Sequence, residues 1–401
     1  MNVLIVSFYY YPELGAAPSR ITNLASGLKN DGVKVDVLTC LPNYPKGQIF
    51  RSYRNKVYCT ETIDGISIFR YWTYASISKS ALSRVLSMTS FAALMWSFSF
   101  QKRRIRQYDV VIVQSPPILV SWSAVLLFKS IYHKKVILNI SDLWPLSAVE
   151  LGAITKDSIF HKVLKGIERS LYKKADGVMG QSAEILEHVR TFIPLKRCFL
   201  YRNLQHAVPI PIAYFSKDRS EKFRIVYAGL LGVAQNVLDL IQSVNFKELD
   251  VEFHIYGGGN QADKIEAYLS SNDVNVYYHG YLEKKEMVET LVQFDASIVP
   301  LAVRIKGAVP SKIFDLLPVG IPILFCGGGE GADIVSQNRF GFVSEPGNYD
   351  QLKYNIRYLK SLPQKEYREI VDNCLMASRN EFDFGKQMKH FQSYINEIIK
   401  L

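Results

Sequence analysis

Twelve short apolar runs, alternating with helical patterns, constrain this chain more than any single motif. Six lie in the first half, at 3–7, 34–39, 66–71, 110–114, 135–139 and 177–180, and six in the second, at 224–228, 251–256, 274–278, 296–299, 321–325 and 341–343. Strands separated by helices need crossover connections, and these build parallel sheets covered on both faces. Val110-Val111-Ile112-Val113 has the expected character, apolar without alternation. Two series in 401 residues exceed one core, so the sequence predicts an α/β protein of two Rossmann-like domains, 1–202 and 223–381. The stretch 203–222 holds Pro209 and Pro211 without periodicity and reads as a linker. Residues 382–401 carry Phe384, Met388, Phe391, Tyr394, Ile395 and Ile398 at helical spacing. That terminal helix packs either on its own domain or back across the first.

Charge is divided unevenly between the halves. Residues 1–200 hold 26 Lys and Arg against 13 Asp and Glu, a net +13, whereas 201–401 hold 22 against 24, a net −2. A basic half points to a large anionic partner, and no nucleic-acid motif is present, so an anionic membrane surface is expected. Five cysteines without any CxxC suggest neither a disulfide framework nor a zinc site and fit a reducing cytoplasm. The first apolar run is too short for a signal peptide and nothing basic precedes it.

Residues 85–101 carry no charge, are rich in Phe, Met and Trp, and run into Lys102, Arg103, Arg104 and Arg106. The segment is short of the roughly 20 residues that span a bilayer. Two readings stand: an in-plane helix in which Phe91, Met95 and Phe98 enter lipid, or a core helix with a solvated basic end.

The chemistry concentrates at strand ends. Phe8 to Arg20, FYYYPELGAAPSR, leads from a strand through a loop into a helix, a geometry that aims backbone N–H groups at an anion. Gly15 and Ala16 are small where a ligand approaches the backbone, and Arg20 follows on the helix as a candidate acceptor or phosphate contact, or a solvated residue. Asp142, just past a strand in SDLWP, faces the ligand crevice, or caps the next helix, two roles that are compatible. YAGLLGVAQN at 227–236 supplies Gly229, Gly232 and Gln235, and IYGGGN supplies Gly257 and Gly258, with simple turns as the alternative. In PSKIFDLLPVGIP, Ser311, Lys312 and Asp315 share a short helix, a cation and a carboxylate suited to a phosphate and to sugar hydroxyls. No DxD between apolar residues and no spaced His pair suggests a metal.

These blocks, in this order, resemble the retaining GT-B glycosyltransferases of family 4, and within them the O-antigen and capsule transferases of acetylated amino sugars. The resemblance implies two Rossmann-like domains facing each other across a cleft. It further implies transfer, without a metal cofactor, of an acetylated amino sugar such as N-acetylfucosamine from a UDP donor to a lipid-diphosphate-linked glycan, by a protein peripheral on the cytoplasmic membrane's inner face. Asp142 would stand near the reacting sugar, Lys312 would take the diphosphate with Arg304 or Lys306 helping, and Asp315 would bind the ribose. Two departures are plain: no Arg or Lys lies between Tyr227 and Phe246, and Gly307 stands where the family's first acidic residue belongs. A nucleotide-sugar 2-epimerase and an inactive partner subunit of another transferase are the rival readings.

Overall fold

The computed structural model describes residues 1–78, 80–205, 222–283 and 286–401, so most of the expected linker, with Pro209 and Pro211, lies outside the described residues. The chain divides into two compact units, Met1–Asn203 with Gly385–Leu401, and Leu204–Phe384.

The first unit is built on an eight-stranded sheet: β1 Asn2–Val6, β2 Lys34–Cys40, β3 Tyr58–Ile63, β4 Ile66–Tyr71, β5 Val110–Ser115, β6 Lys135–Ile140, β7 Gly177–Gly180 and β8 Cys198–Leu200, in the order β3-β4-β2-β1-β5-β6-β7-β8. Every pairing is parallel except β3 with β4, where Tyr58 faces Tyr71 and Ile63 faces Ile66. That hairpin turns at Asp64-Gly65, both with positive φ, a tight two-residue turn that the run pattern alone did not reveal. The central runs of β1, β5 and β6, residues 3–6, 110–113 and 136–138, are apolar and buried because helices cover both faces, with the buried polar Gln114, Ser115 and Asn139 toward the strand ends.

The second unit holds six parallel strands, β9 Phe223–Ala228, β10 Val251–Tyr256, β11 Val276–Tyr278, β12 Ala296–Pro300, β13 Ile323–Cys326 and β14 Gly341–Ser344, in the order β11-β10-β9-β12-β13-β14. The sheet order reverses beside β1 in the first unit and β9 in the second, so each has a switch point at the carboxyl end of its first strand.

The uncharged 85–101 segment forms the helix Ala81–Leu94 and a 3-10 turn, Met95–Phe100. Phe91, Met95 and Phe98 are fully buried, with Phe98 packed on Phe69 and Phe128 at ring separations of 5.3 and 6.3 Å and Phe91 on Phe8 at 5.7 Å. The expectation that these three side chains enter lipid is therefore corrected: they are core. Among the described residues no helix is long and apolar enough to cross a membrane.

The last helix, Phe384–Ile399, packs on the first unit's β7–β8 edge. Phe391 lies 5.3 Å from Phe199 and 5.4 Å from Tyr201, and the Tyr394 hydroxyl donates toward the carbonyls of Val178 and Arg197, at 3.2 and 3.0 Å. A Cβ on Gly177 would fall 2.2 Å from that hydroxyl, so the strand is glycine where the tyrosine enters.

Candidate functional site

Two constellations form at strand ends, one in each unit. In the first, the loop after β1 is held by Glu13. Its buried carboxylate accepts the backbone N–H groups of Tyr10 at 3.2 Å and of Asn43 and Tyr44 at 2.8 Å. Burial raises its pKa and the three N–H groups oppose the rise. Sequence reasoning passed over Glu13, although it sits inside the PELGA block. Gly15 precedes the helix Ala16–Asn30 with φ +136°, a conformation open to glycine, and a Cβ there would press on the Tyr44 ring at 3.0 Å. Ala16 begins the helix and is exposed.

Arg20 is not a solvated residue: it is 2% exposed. Its guanidinium donates to Asn139 Oδ1 at 2.8 Å, on β6, and to Gln181 Oε1 at 2.7 Å, just past β7. Gln181 in turn donates to the Ser141 carbonyl at 2.5 Å. Burial pushes the Arg20 pKa down to about 10, while Tyr201 and Asp142 pull it up. Asp142 lies two residues past β6, partly buried, and accepts from Ser141 Oγ at 3.3 Å. Desolvation raises its pKa, and Arg20 and that hydroxyl lower it. The helix-capping alternative fails, because Pro145 caps the helix Leu146–Glu150 without any side-chain bond. Asp142 is therefore a carboxylate at a strand end whose charge is supported by a buried arginine.

In the second unit, the loops after β9 and β10 are zipped together: Gly229 N–H donates to the Tyr256 carbonyl at 2.8 Å, and Leu231 N–H to the Gly258 carbonyl at 2.9 Å. A Cβ on Gly257 would lie 1.8 Å from the Gly229 carbonyl, so this glycine, expected to face a ligand, is required by loop-on-loop contact. Gly258 faces open space, and a Cβ on Gly232 would touch the Gln235 amide at 3.0 Å. The helix after β9 starts only at Val237.

Lys312 begins the helix Lys312–Leu316, with Ser311 as its N-cap and Asp315 one turn on. The side chain runs under the first glycine loop. Its Nζ donates to the Tyr227 hydroxyl at 2.7 Å, stands 3.9 Å from that ring's centre, and the hydroxyl donates onward to the Leu230 carbonyl at 2.5 Å. A Cβ on Gly229, at φ +152°, would fall 2.2 Å from Lys312 Cε and 2.3 Å from Nζ. Gly229 thus leaves room for the lysine. Desolvation pushes the Lys312 pKa down to about 7, Asp315 opposing, and burial raises that of Tyr227. The result is a cation that the protein holds at the edge of neutrality, ready to gain from an anion. Gly307 has φ +81°, so a glutamate in its place would sit on a strained backbone. Arg304 and Lys306 are exposed nearby in sequence. Among the described residues no cluster of three His, Cys, Asp or Glu side chains is spaced for a metal.

Comparison with known proteins agrees with these two halves. The sequence model of the glycosyl transferase 4-like domain matches residues 15–197, and that of the glycosyl transferases group 1 domain matches 222–361. WbjE of Pseudomonas aeruginosa, whose name assigns it to the glycosyltransferases, is 27% identical over 282 residues, 67% of this chain and 69% of that protein. WcaI of Escherichia coli K12, named for colanic acid biosynthesis, is 22% identical over 338 residues, 80% of this chain and 82% of that one. Among solved structures, sucrose-phosphate synthase from Thermosynechococcus elongatus gives a TM-score of 0.75 at 12% identity, covering 100% of this chain and 99% of that one. HepE of Anabaena, solved in complex with UDP, gives 0.70 at 12% identity, covering 99% of this chain and 100% of that one. At such identities the structural likeness bears on fold alone.

Proposed function

Because this chain is a glycosyltransferase of GT-B fold, joining a 4-like domain to a group 1 domain, we propose that it builds a bacterial surface polysaccharide by moving an acetylated amino sugar from UDP to a lipid-diphosphate-linked glycan. The sugar is a 6-deoxy one such as N-acetylfucosamine, configuration is retained, no metal takes part, and the reaction runs at the inner face of the cytoplasmic membrane. The relatives named for glycosyl transfer and for colanic acid synthesis support the reaction and the pathway class, and the UDP complex of HepE supports the nucleotide.

The observation that carries the donor half is Lys312, desolvated under Gly229 against Tyr227. A diphosphate beside it restores the full positive charge and accepts a charge-assisted hydrogen bond. In the reaction the bond from the anomeric carbon to the β-phosphate oxygen breaks, and a bond from the acceptor hydroxyl oxygen to that carbon forms on the same face. The hydroxyl proton leaves with the departing phosphate. Lys312 stabilises the charge that grows on the phosphate, Asp315 accepts from the ribose hydroxyls, and Asp142 orients the acceptor hydroxyl.

The test is calorimetry of the purified chain against a panel of nucleotide sugars, then product analysis with a lipid-diphosphate acceptor. Asp142→Asn leaves UDP affinity unchanged and lowers transfer about a hundredfold, the scale lost when a reacting group is misplaced by about 1 Å. Equal transfer by the variant removes Asp142 from the reaction. Sugar isomerised with donor alone identifies the 2-epimerase instead.

A further inference from the structure

Three neighbouring helices of the first unit carry a surface pattern that sugar transfer does not require. The helix Ala81–Leu94 lies against Ile118–Val125, and the latter against Ile159–Lys174. Between Asp64 and Asp142 the chain has ten Lys and Arg, of which Arg70 is buried against Glu61 and Lys129 is paired with Asp176, and one carboxylate, Asp109, which accepts the Asn2 backbone N–H at 2.7 Å. The helix Ile159–Lys174 holds one carboxylate, Glu168, buried against Tyr172 and His188. Its Lys162, Lys165, Arg169 and Lys173 are exposed.

Large apolar side chains stand exposed among these cations. Trp96 and Trp122 are each 37% exposed, and the Trp96 indole donates to Ser123 Oγ at 2.7 Å, which fixes it against the helix that bears Trp122. Ile159 is 84% exposed, and Phe160 and Val163 are exposed beside it. These residues occupy the first turns of an otherwise basic helix, where burial within the protein is not available to them. Exposed cations outnumber exposed carboxylates here, Asp157 just ahead of this helix being one of the latter, so the face offers few reciprocal ion pairs to a folded partner of mixed charge. It matches a sheet of like anions over an apolar interior: lysines reach lipid phosphates, half-exposed indoles sit at headgroup level, and Ile, Phe and Val enter the acyl boundary.

We propose that this three-helix face docks the protein on an anionic lipid surface, with Ile159, Phe160 and Val163 as the inserted wedge and Lys162 and Lys165 as its phosphate contacts. The inference rests on the membrane-bound acceptor proposed above. It assigns the contact to side chains that the fold leaves exposed, in place of the buried Phe91, Met95 and Phe98.

The full chain is sedimented with vesicles of phosphatidylcholine, alone and mixed with phosphatidylglycerol. The wild type binds the mixed vesicles. Lys162→Gln with Lys165→Gln weakens that binding by roughly fivefold per lysine, about 30-fold together. Phe160→Ser with Val163→Ser weakens it about tenfold or more, even at low salt. All four side chains are exposed, so circular dichroism and UDP affinity stay as in the wild type. A wild type that leaves anionic vesicles unbound overturns the membrane reading and this surface together. A wild type that binds, with both variants binding equally well, overturns this surface alone.

Discussion

Raising the pH probes the donor half-site through Lys312. In the free protein burial holds this lysine's pKa near 7. A diphosphate beside the amine returns it to the charged form, so binding takes up a proton whenever the free lysine is neutral. Half the lysines are charged at about pH 7 and roughly 3% at about pH 8.5, so the Kd for UDP rises ~16-fold over that span, or ~1.6 kcal/mol at about 1.36 kcal/mol per pK unit. The sign follows from a depressed pKa: affinity is complete below about 7 and is lost as pH rises through it. The terminal phosphate of UDP, with a second pKa near 6, is ionised over most of the window and adds little. Calorimetry in two buffers of different ionisation enthalpy reads both the Kd and the protons taken up, about one half at pH 7 and about one at pH 8.5. Lys312→Arg gives a flat profile because the guanidinium does not titrate. Lys312→Met gives weak, flat binding. It also raises the melting temperature of the free protein, since an unfolded lysine keeps a pKa of about 10.4 and the native depression costs stability in full below about pH 7, fading toward 10.4. A wild type that binds UDP with a constant Kd and no proton uptake refutes the reasoning.

Two further substitutions separate packing from chemistry. Gly229→Ala places a methyl where Lys312 lies and strains the backbone by about 1–3 kcal/mol; UDP binding weakens and its pH dependence collapses in the same calorimetric assay. Arg20→Met removes the charge that supports Asp142, so the acid limb of the kcat/KM profile moves to higher pH, and stability in urea unfolding drops by about 1–3 kcal/mol for each of the two acceptors, Asn139 and Gln181, left without its buried donor; an unmoved acid limb shows that Arg20 serves the fold only.

The sheets were readable because a strand covered on both faces has no polar alternation to hide it, as in Val110-Val111-Ile112-Val113. The edge strands β3 and β8 were not: Tyr58–Ile63 alternates exposed and half-buried residues, and Cys198–Leu200 is three residues long. The Asp64-Gly65 pair was the available signal for the first. Apolarity in 85–101 was visible, but which side chains face inward depends on Phe8, Phe69 and Phe128, brought from three other elements. Arg20 shows the same limit. Its acceptors lie 119 and 161 residues away, so a buried strut and a surface cation look identical along the chain. Lys312 and Asp315 stood out through their place in PSKIFDLLPVGIP and the family resemblance, whereas the reason for Gly229 was hidden, because the atom that crowds it belongs to Lys312.

The terminal helix imposes an order of events on synthesis. Its seat on the first unit is formed by Phe199, Tyr201 and the Gly177 notch, all made before residue 203, yet the helix itself follows the whole second unit. At about 5–20 residues per second the ribosome needs roughly 10–40 s to add the intervening second unit. For that interval the nascent first unit shows an aromatic gap that the helix Phe384–Ile399 later fills, and a chain stopped at Asp383 keeps it. Such a chain is expected to bind a hydrophobic dye more strongly than the 401-residue chain does, because the aromatic seat of Phe199 and Tyr201 stays uncovered.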